Sequence, residues 1–218
     1  MTNPMPSAPQ FWDGFYADHT HAERGPVNRN LIAEVDGLEP GTALDLGCGE
    51  GADAIWLAEQ GWTVLAVDAS RTALDRARVH AARLGLGGRI DFAPHDLGND
   101  FPAGEFDLVS AQFLHSPVAG PGERERILYR AAQAVAPGGH LLVVSHWGVP
   151  PWHQGMPAVD HPVNLTLQSP EQNRCALQLA EPEWEIVRDE IDTIELTGPE
   201  GRPGTREDHV LHVRRIAR

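Results

Sequence analysis

The sequence contains no lysine. All 17 of its basic residues are arginine, against 31 aspartate and glutamate residues, so the formal net charge is −14. Affinity for nucleic acid comes mainly from a basic footprint on the phosphate backbone, and none is visible here, so we expect no nucleic-acid partner. The two cysteines, Cys48 and Cys175, have neither a disulfide nor a metal-site spacing. A reducing, cytoplasmic setting is therefore expected.

Long apolar runs are also missing. No run approaches the roughly 20 residues needed to cross a bilayer, so we expect no membrane partner. Residues 1–9 are polar and proline-rich, without a basic start or an apolar core, which predicts a loose tail and no signal peptide. At 218 residues and 41% apolar content, the chain is long enough for one domain with a full core.

The most informative segment is an apolar strand that runs directly into a glycine-rich turn, Thr42-Ala43-Leu44-Asp45-Leu46-Gly47-Cys48-Gly49-Glu50-Gly51. Glycines at alternate positions allow positive φ angles and let a ligand approach the backbone amides closely. A helical run begins at Gly51, so the free N–H groups of its first turn attract an anion. Asp45, just ahead of the turn, would repel a pyrophosphate but pair with an ammonium group. The loop therefore favours a ligand that carries an ammonium beside a carboxylate.

Acidic residues also follow the next two predicted strands. Residues 62–67 form an apolar run that ends at Asp68, about 20 residues past the first glycine, where a carboxylate accepts hydrogen bonds from ribose hydroxyls. A third strand at residues 89–93 leads to Asp96 and Leu97. NAD enzymes share the position of Asp68, but their loop reads G-x-G-x-x-G, whereas this one reads G-x-G-x-G. Asp68 thus supports an adenosine ligand more than it supports either class of protein.

Apolar strands alternate with helical runs along the chain, which predicts an α/β fold with a parallel sheet covered by helices on both faces. The predicted helices span residues 52–60, 70–84 and 122–135, and the fourth and fifth strands span 106–111 and 140–145. The segment Ala136-Pro137-Gly138-Gly139 is expected to stop the last of these helices. Residues 184–196 and 208–216 are predicted to pair as an antiparallel hairpin.

The loop from Asp45 to Gly51, the acidic Asp68 and the Ala136-Pro137-Gly138-Gly139 stop resemble the motifs of class I S-adenosylmethionine-dependent methyltransferases. The resemblance covers roughly residues 28–216. It implies a single-domain, Rossmann-like, seven-stranded sheet of order 3-2-1-4-5-7-6, with helices on both faces and an antiparallel C-terminal hairpin. Residues 1–27 would form a tail and cap segment, and residues 28–218 the cofactor-binding domain. Within the family, the compact chain most resembles the small bacterial members, which include tellurite and thiopurine methyltransferases.

The resemblance implies S-adenosylmethionine as cofactor and S-adenosylhomocysteine as product. Asp45 would pair with the amino-acid ammonium group, and Asp68 would bind the ribose. Asp96 and the Leu97 amide match the family's adenine contacts. The full set of predicted cofactor-binding residues is Asp45, Gly47, Cys48, Gly49, Gly51, Asp68, Ala69, Asp96, Leu97 and Gln112.

Two histidines are candidate catalytic residues, because a general base is needed when the acceptor carries a proton that must leave. His115 follows the fourth strand and His146 follows the fifth. His115 is preferred since it lies nearer the methyl-transfer end in this family, and the alternative for each is a neutral loop histidine.

Aromatic and imidazole groups of the cap and of the loop after strand five suit a small, flat acceptor. The predicted substrate-binding residues are Phe11, Trp12, Tyr16, His19, His115, Trp147 and Trp152.

The implied activity is in-line methyl transfer to a small-molecule acceptor. Enzymes of this fold that methylate base or amide nitrogens carry an Asp/Asn-Pro-Pro-Tyr-type motif after strand four, where this chain reads Ala111-Gln112-Phe113-Leu114. Two other interpretations are an NAD(P)-dependent oxidoreductase of the Rossmann type and a non-catalytic module that binds an adenosyl cofactor. The alternative for the aromatic cap residues is that they only pack the cap on the sheet and do not bind a substrate. We expect a monomer or a homodimer.

Eleven histidines raise the question of a metal site. His19 and His21 could supply two ligands, with His153 or His161 as a third, and an open metal site would orient a phenolate or catechol acceptor. This spacing is common on loops, and no cysteine or carboxylate cluster completes the set. We therefore predict that the protein binds no metal.

Overall fold

The computed structural model describes residues 5–19, 25–148 and 167–217. Within them a seven-stranded sheet has the order β3-β2-β1-β4-β5-β7-β6, as the resemblance implies. The strands are β1 (Thr42–Leu46), β2 (Thr63–Asp68), β3 (Ile90–Pro94), β4 (Phe106–Gln112), β5 (Val135–His146), β6 (Trp184–Thr197) and β7 (Pro203–Arg215). The first five are parallel, and β7 pairs antiparallel with both β5 and β6. The predicted C-terminal hairpin is confirmed.

Six α-helices are present in the described ranges: α1 (Ala8–Asp18), α2 (Arg29–Val35), α3 (Ala52–Glu59), α4 (Arg71–Arg83), α5 (Glu123–Gln133) and α6 (Pro170–Leu177). Helices α3, α4 and α5 match the three predicted ones to within one or two residues. Helix α1 begins inside the segment expected to be a loose tail. The reason is a capping box, in which the Ser7 side chain accepts from the Gln10 amide and the Gln10 side chain accepts from the Ser7 amide.

The sheet is covered on both faces because its central strands are apolar on both sides. Alternate residues of β1 enter two separate clusters: Ala43 packs with Ile55 and Leu74 of α3 and α4, whereas Leu44 packs with Leu128 of α5. These side chains are fully buried, and each large one contributes about 1.5–3 kcal/mol relative to an exposed position. This burial fixes the strand ends, and with them the loops that follow.

Two strands begin earlier than the sequence pattern predicts. Strand β5 starts at Val135, ahead of the proline and glycines that predict a break, because a register shift lets the chain remain extended beside β4. Gly139 is required there, since a Cβ atom would lie 2.9 Å from the Asp107 carbonyl oxygen. Strand β7 starts at Pro203, which is tolerated as the first residue of a strand. In the part of the chain that the structure describes, no helix has the length and apolarity needed to cross a membrane.

Candidate functional site

The glycine loop connects the carboxyl end of β1 to α3 in a tight turn. Gly47, Gly49 and Gly51 have φ angles of 73°, 52° and 81°, as predicted for this loop. The Gly47 and Cys48 amides donate to the Val67 carbonyl at 2.8 and 3.0 Å, which ties the loop to β2. A Cβ atom at Gly51 would lie 2.9 Å from the Ala77 side chain, so this glycine also lets α4 approach. The loop is therefore held rigidly at the edge of the sheet.

Asp45, at the end of β1, is only 2% exposed. Its Oδ2 atom is buried and accepts no hydrogen bond from the described residues. Burial raises the pKa of this carboxyl well above its usual range, and the nearby carboxylates of Asp53 and Asp68 raise it further. A buried acid in this state gains most from a cation, which would satisfy the oxygen and relieve the repulsion together.

Asp68 ends β2 and is 8% exposed. Its Oδ2 accepts the Gly49 amide at 2.9 Å, and its Oδ1 accepts the Ser70 amide at 2.8 Å. Burial raises the pKa of Asp68 although these backbone bonds oppose the shift. Each carboxylate oxygen has a second lone pair, so hydroxyl donors can still bind.

Two cavities lie on either side of the loop. A cavity of about 230 Å³, the Asp45 cavity, is formed mainly by the loop itself and by the end of β4. It is lined by the predicted cofactor-binding residues Asp45, Gly47, Cys48, Gly49 and Gln112. A cavity of about 160 Å³, the Asp68 cavity, is lined by the predicted residues Gly47, Asp68, Ala69, Asp96 and Leu97. Of the ten predicted residues, Gly51 alone lines neither cavity, because it packs against α4.

The N-terminal helix α1 covers both cavities. Trp12 and Tyr16 line the Asp68 cavity, and Tyr16 also lines the Asp45 cavity. The Asp13 carboxylate holds the helix in place by accepting from the Ser70 hydroxyl at 2.7 Å and from the Thr72 amide at 3.0 Å. Arg76 of α4 donates to the Tyr16 carbonyl at 2.8 Å. Two aromatic residues of the cap therefore form part of the cavity walls, while their role in substrate binding stays a prediction.

The two candidate catalytic histidines lie side by side, with nearly parallel rings 5.8 Å apart. His115 lines the Asp68 cavity. Burial, the Arg124 charge and His146 together lower the pKa of His115 to about 3, so its imidazole is neutral near pH 7. His146 lies behind it, stacked on Phe113, and lines neither cavity.

His146 is oriented by a carboxylate. Its Nδ1 lies 2.9 Å from the Asp208 Oδ1 atom, and Asp208 also receives two bonds from Arg206 at 2.9 and 2.8 Å. Burial alone would raise the Asp208 pKa, but these bonds outweigh it and lower the pKa, so the carboxylate is ionised. An ionised carboxylate only accepts, so Nδ1 of His146 is the donor in this contact.

The remaining predicted substrate residues are distributed unevenly. Trp12, Tyr16 and His115 line the Asp68 cavity. Phe11 packs edge-on against Trp12, and His19 stacks on Phe15 at the exposed end of α1. Neither lines a cavity described above. Trp147 follows β5 and donates its amide to the Glu207 carbonyl at 2.9 Å, while Trp152 lies outside the described residues.

Within ranges 5–19, 25–148 and 167–217, no group of three or more His, Cys, Asp or Glu side chains is placed to hold a metal ion. His21, His153 and His161 all lie outside these ranges. The metal hypothesis built on them and on His19 therefore stays an untested alternative.

Sequence reasoning missed two side chains at the site. Asp53 lies in the Asp45 cavity and accepts from the Asn28 amide at 2.9 Å. Arg124 lines the Asp68 cavity from the second residue of α5. Arg124 left a signal, since a cation in the first turn of a helix opposes the helix dipole and implies another role.

Comparison with known proteins gives a consistent picture. A family model described as a methyltransferase domain matches residues 43–139. The chain is 30% identical over 161 residues to a ubiquinone biosynthesis O-methyltransferase of Idiomarina loihiensis, with 72% of this chain and 64% of that protein covered. It is 32% identical over 117 residues to the ribosomal RNA small subunit methyltransferase C of Alcanivorax borkumensis, with 51% and 34% covered. The chain thus spans less than two thirds of the length of these relatives.

Among solved structures, one from work on the conversion of a disulfide bond into a thioacetal group during echinomycin biosynthesis superimposes with a TM-score of 0.70. The identity is 23%, and the match covers 95% of this chain and 93% of that one. At this identity the likeness shows the fold alone. The narrower resemblance to tellurite and thiopurine methyltransferases stays a prediction. The matched domain, the sheet order and the glycine loop with its two acidic neighbours together identify a class I S-adenosylmethionine-dependent methyltransferase domain in this chain, with residues 43–139 matched by the family model.

Proposed function

We propose that this protein is an S-adenosylmethionine-dependent methyltransferase that transfers a methyl group in line to a small-molecule acceptor. The observation that carries the proposal is the buried, unpartnered Oδ2 atom of Asp45 beside the glycine loop. An unsatisfied buried carboxylate costs stability, so its presence next to a ligand-sized cavity indicates a cationic partner. The family's cofactor carries such a group.

The residues present fit that cofactor. The Asp45 cavity offers a carboxylate and a glycine turn, which suit an ammonium and a carboxylate. The Asp68 cavity continues from it, since Tyr16 and Gly47 line both. Asp68 would then bind the ribose, and Asp96 with Leu97 the adenine. When bound, S-adenosylmethionine supplies an electrophilic methyl group on a sulfonium, an excellent leaving group.

The contribution of the chain to the transfer is chiefly positioning. His115 stays neutral and presents an imidazole to the Asp68 cavity, where it can hold an acceptor by a hydrogen bond. Its low pKa makes it a weak base, because a general base works best with a pKa near the working pH. His146, which is oriented by the Asp208 carboxylate on Nδ1, is the second candidate, but it lines neither cavity.

A small acceptor is supported by the size of the cavities and by the name of the ubiquinone biosynthesis O-methyltransferase relative. The relative named for ribosomal RNA leaves nucleic acid open as an acceptor, and the net charge of −14 is the argument against it. A cytoplasmic setting remains part of the proposal.

Two alternatives are less well supported. A dinucleotide-dependent oxidoreductase would have the strand order 3-2-1-4-5-6 and a G-x-G-x-x-G loop, whereas this chain has an antiparallel β7 between β5 and β6. A non-catalytic binding module would share the cofactor site. It would differ in binding the cofactor without methylating any acceptor.

Calorimetric titration with S-adenosylmethionine, S-adenosylhomocysteine and NADH tests the proposal. We expect both adenosyl compounds to bind and NADH not to bind. Asp68→Ala should weaken adenosyl binding by at least about 1 kcal/mol, because hydrogen bonds to a charged acceptor contribute roughly 1.5–3 kcal/mol. Asp75→Ala is the matched control, since that carboxylate is 76% exposed on α4. Binding of NADH without either adenosyl compound would overturn the proposal.

A further inference from the structure

A third cavity, of about 380 Å³, adjoins the Asp68 cavity, and we name it the Arg124 cavity. It is formed by the segment between β4 and α5 and by Gln168, just ahead of α6. His115, Ser116 and Arg124 line both this cavity and the Asp68 cavity. A molecule in the Arg124 cavity would therefore lie next to one in the Asp68 cavity.

Arg124 is the only strong cation on the described wall of this cavity, and its guanidinium is bonded to neutral groups. Nε donates to the Leu114 carbonyl at 3.0 Å, one terminal nitrogen to the Asn173 Oδ1 atom at 2.7 Å, and the other to the Ser145 hydroxyl at 2.7 Å. Arginine has five N–H donors, so two have no partner among the described residues. No carboxylate of the described residues forms an ion pair with Arg124. Burying a cation in this way is costly unless an anion completes the site.

Polar atoms on the same wall are also unsatisfied. His115 Nε2, Ser116 Oγ and Gln168 Oε1 are buried and have no hydrogen-bond partner among the described residues. The residues that carry these atoms all line the Arg124 cavity. Buried polar atoms are normally paired, so three orphans around one cavity indicate a polar ligand that reaches all of them. A wall used only for packing would carry apolar side chains instead.

One carboxylate, that of Glu125, shares the cavity. It acts on Arg124 through its field, which opposes the effect of burial, while burial lowers the Arg124 pKa to about 10. The guanidinium is thus still charged near pH 7. Glu125 weakens the attraction for an anion without removing it, and so provides a variant whose effect is opposite in sign to that of Arg124.

We infer that the Arg124 cavity holds the methyl acceptor and that this acceptor is a small carboxylic acid, whose carboxylate faces the Arg124 guanidinium. The inference rests on the proposed function and names the substrate class of its site. The two remaining N–H groups of Arg124 suit a carboxylate, because a planar fork matches its two oxygens. The orphan atoms of His115, Ser116 and Gln168 would receive the polar groups at the other end of the acid. The polar group at that end would then lie beside the Asp68 cavity and next to His115, which lines both cavities.

The test uses matched pairs of small molecules, each a carboxylic acid and its primary amide, such as benzoate with benzamide, salicylate with salicylamide and succinate with succinamide. Each is titrated by calorimetry into the full chain saturated with S-adenosylhomocysteine. We expect the tightest ligand to be a carboxylate that binds at least roughly tenfold more tightly than its amide. Glu125→Gln should strengthen carboxylate binding by a few fold and leave amide binding unchanged.

Arg124→Lys keeps the charge but loses the planar fork, and Arg124→Gln loses both. We expect the preference for carboxylate to fall in Arg124→Lys and to disappear in Arg124→Gln, each variant being measured at its own saturating concentration of S-adenosylhomocysteine. If Arg124→Gln does not fold, Arg124→Lys and Glu125→Gln decide. Equal binding of acids and amides, no carboxylate binding up to about 10 mM, or an unchanged preference in both decisive variants would overturn the inference. Failure of S-adenosylhomocysteine to bind would instead overturn the proposed function, and this inference with it.

Discussion

Carboxylates that are buried or half-buried occur in two regions of the molecule and behave in opposite ways. At the ends of β1 and β2, burial raises the pKa values of Asp45 and Asp68, and no basic side chain of the described residues forms an ion pair with either. Around β7, the carboxylates of Asp208, Asp189 and Glu34 are paired with histidine and arginine side chains. Burial alone would raise their pKa values, but these partners lower them below the usual range.

The difference distinguishes structural acids from acids that await a ligand. An acid whose partners belong to the chain stabilises the fold and is fully used in it. An acid that is buried without such a partner destabilises the fold, and a cation that binds to it from outside relieves this cost. Acidic side chains thus serve two purposes in this molecule, and the partners of each carboxylate show which purpose it serves. This contrast predicts opposite effects of the same Asp→Asn substitution.

The largest effect is expected at Asp208. Asp208→Asn removes the ionised partner of His146 and Arg206 from a position that is 1% exposed. Breaking a buried pair costs about 3–5 kcal/mol, and the partial exposure of both partners places this case near the lower figure. Urea unfolding would measure the loss, with Asp91→Asn as control, because Asp91 is an exposed residue of β3. A change smaller than about 1 kcal/mol would show that Asp208 is not structural.

The second prediction concerns Asp45→Asn, where binding should fall while stability does not. Replacing this carboxylate, which has no basic partner among the described residues, by an amide removes the charge that pairs with an ammonium group, so S-adenosylmethionine affinity should drop by about 1.5–3 kcal/mol, roughly 10- to 150-fold. The free energy of unfolding without ligand should stay the same or rise, because a buried charge is removed. Calorimetry and urea unfolding on one sample check both. A loss of stability like that of Asp208→Asn would erase the contrast.

The smallest effect is a pH dependence inside the paired region. His140 Nδ1 lies 2.8 Å from His212 Nε2, and His212 Nδ1 lies 2.9 Å from the Glu34 carboxylate. Burial and the His212 ring lower the pKa of His140 from 6.5 to about 4. Between these two pH values the unfolded chain therefore binds more protons than the folded one, so stability is lost as pH falls through this window.

His140→Gln keeps a donor for His212 but cannot titrate. We expect the variant to lose less stability than the wild type between about pH 7 and pH 4.5, as measured by urea unfolding at several pH values. Parallel pH profiles for the two proteins would contradict the assignment of His140 as a neutral, buried group.

Local patterns were sufficient for the existence of the strands and for the acidic residues that line the two cavities, whereas the order of the strands came from the family resemblance. The strand ends that carry Asp45, Asp68 and Asp96 follow from apolar runs and glycines, all of which are near one another in the sequence. The polar groups around β7 could not be predicted this way. His212 meets Glu34 across 178 residues, and no local pattern pairs them. Arg124 was missed for the same reason, because its partners Ser145 and Asn173 lie on later elements.

The early start of β5 illustrates a different limit. Pro137 and Gly138 have low strand propensity, so the strand predicted from the sequence does not extend back to them. Tertiary pairing with β4 overrides the propensity through a local shift of register. Helix α6 is short and has no long apolar period, so the signal for this helix in the sequence is its N-cap at Ser169.

Helix α1 has no fully buried side chain and is held mainly by Asp13 and Arg76, so its docking adds little to the core. Its inner side chains nevertheless complete the walls of two cavities. A ligand that fills those cavities makes contacts with α1 only while the helix is docked. Docking and ligand affinity are then thermodynamically reciprocal: each must strengthen the other by the same factor. Substitutions at Asp13, which lines neither cavity, would thereby change the affinity for the cofactor at a distance, because the docking of α1 is part of the binding equilibrium.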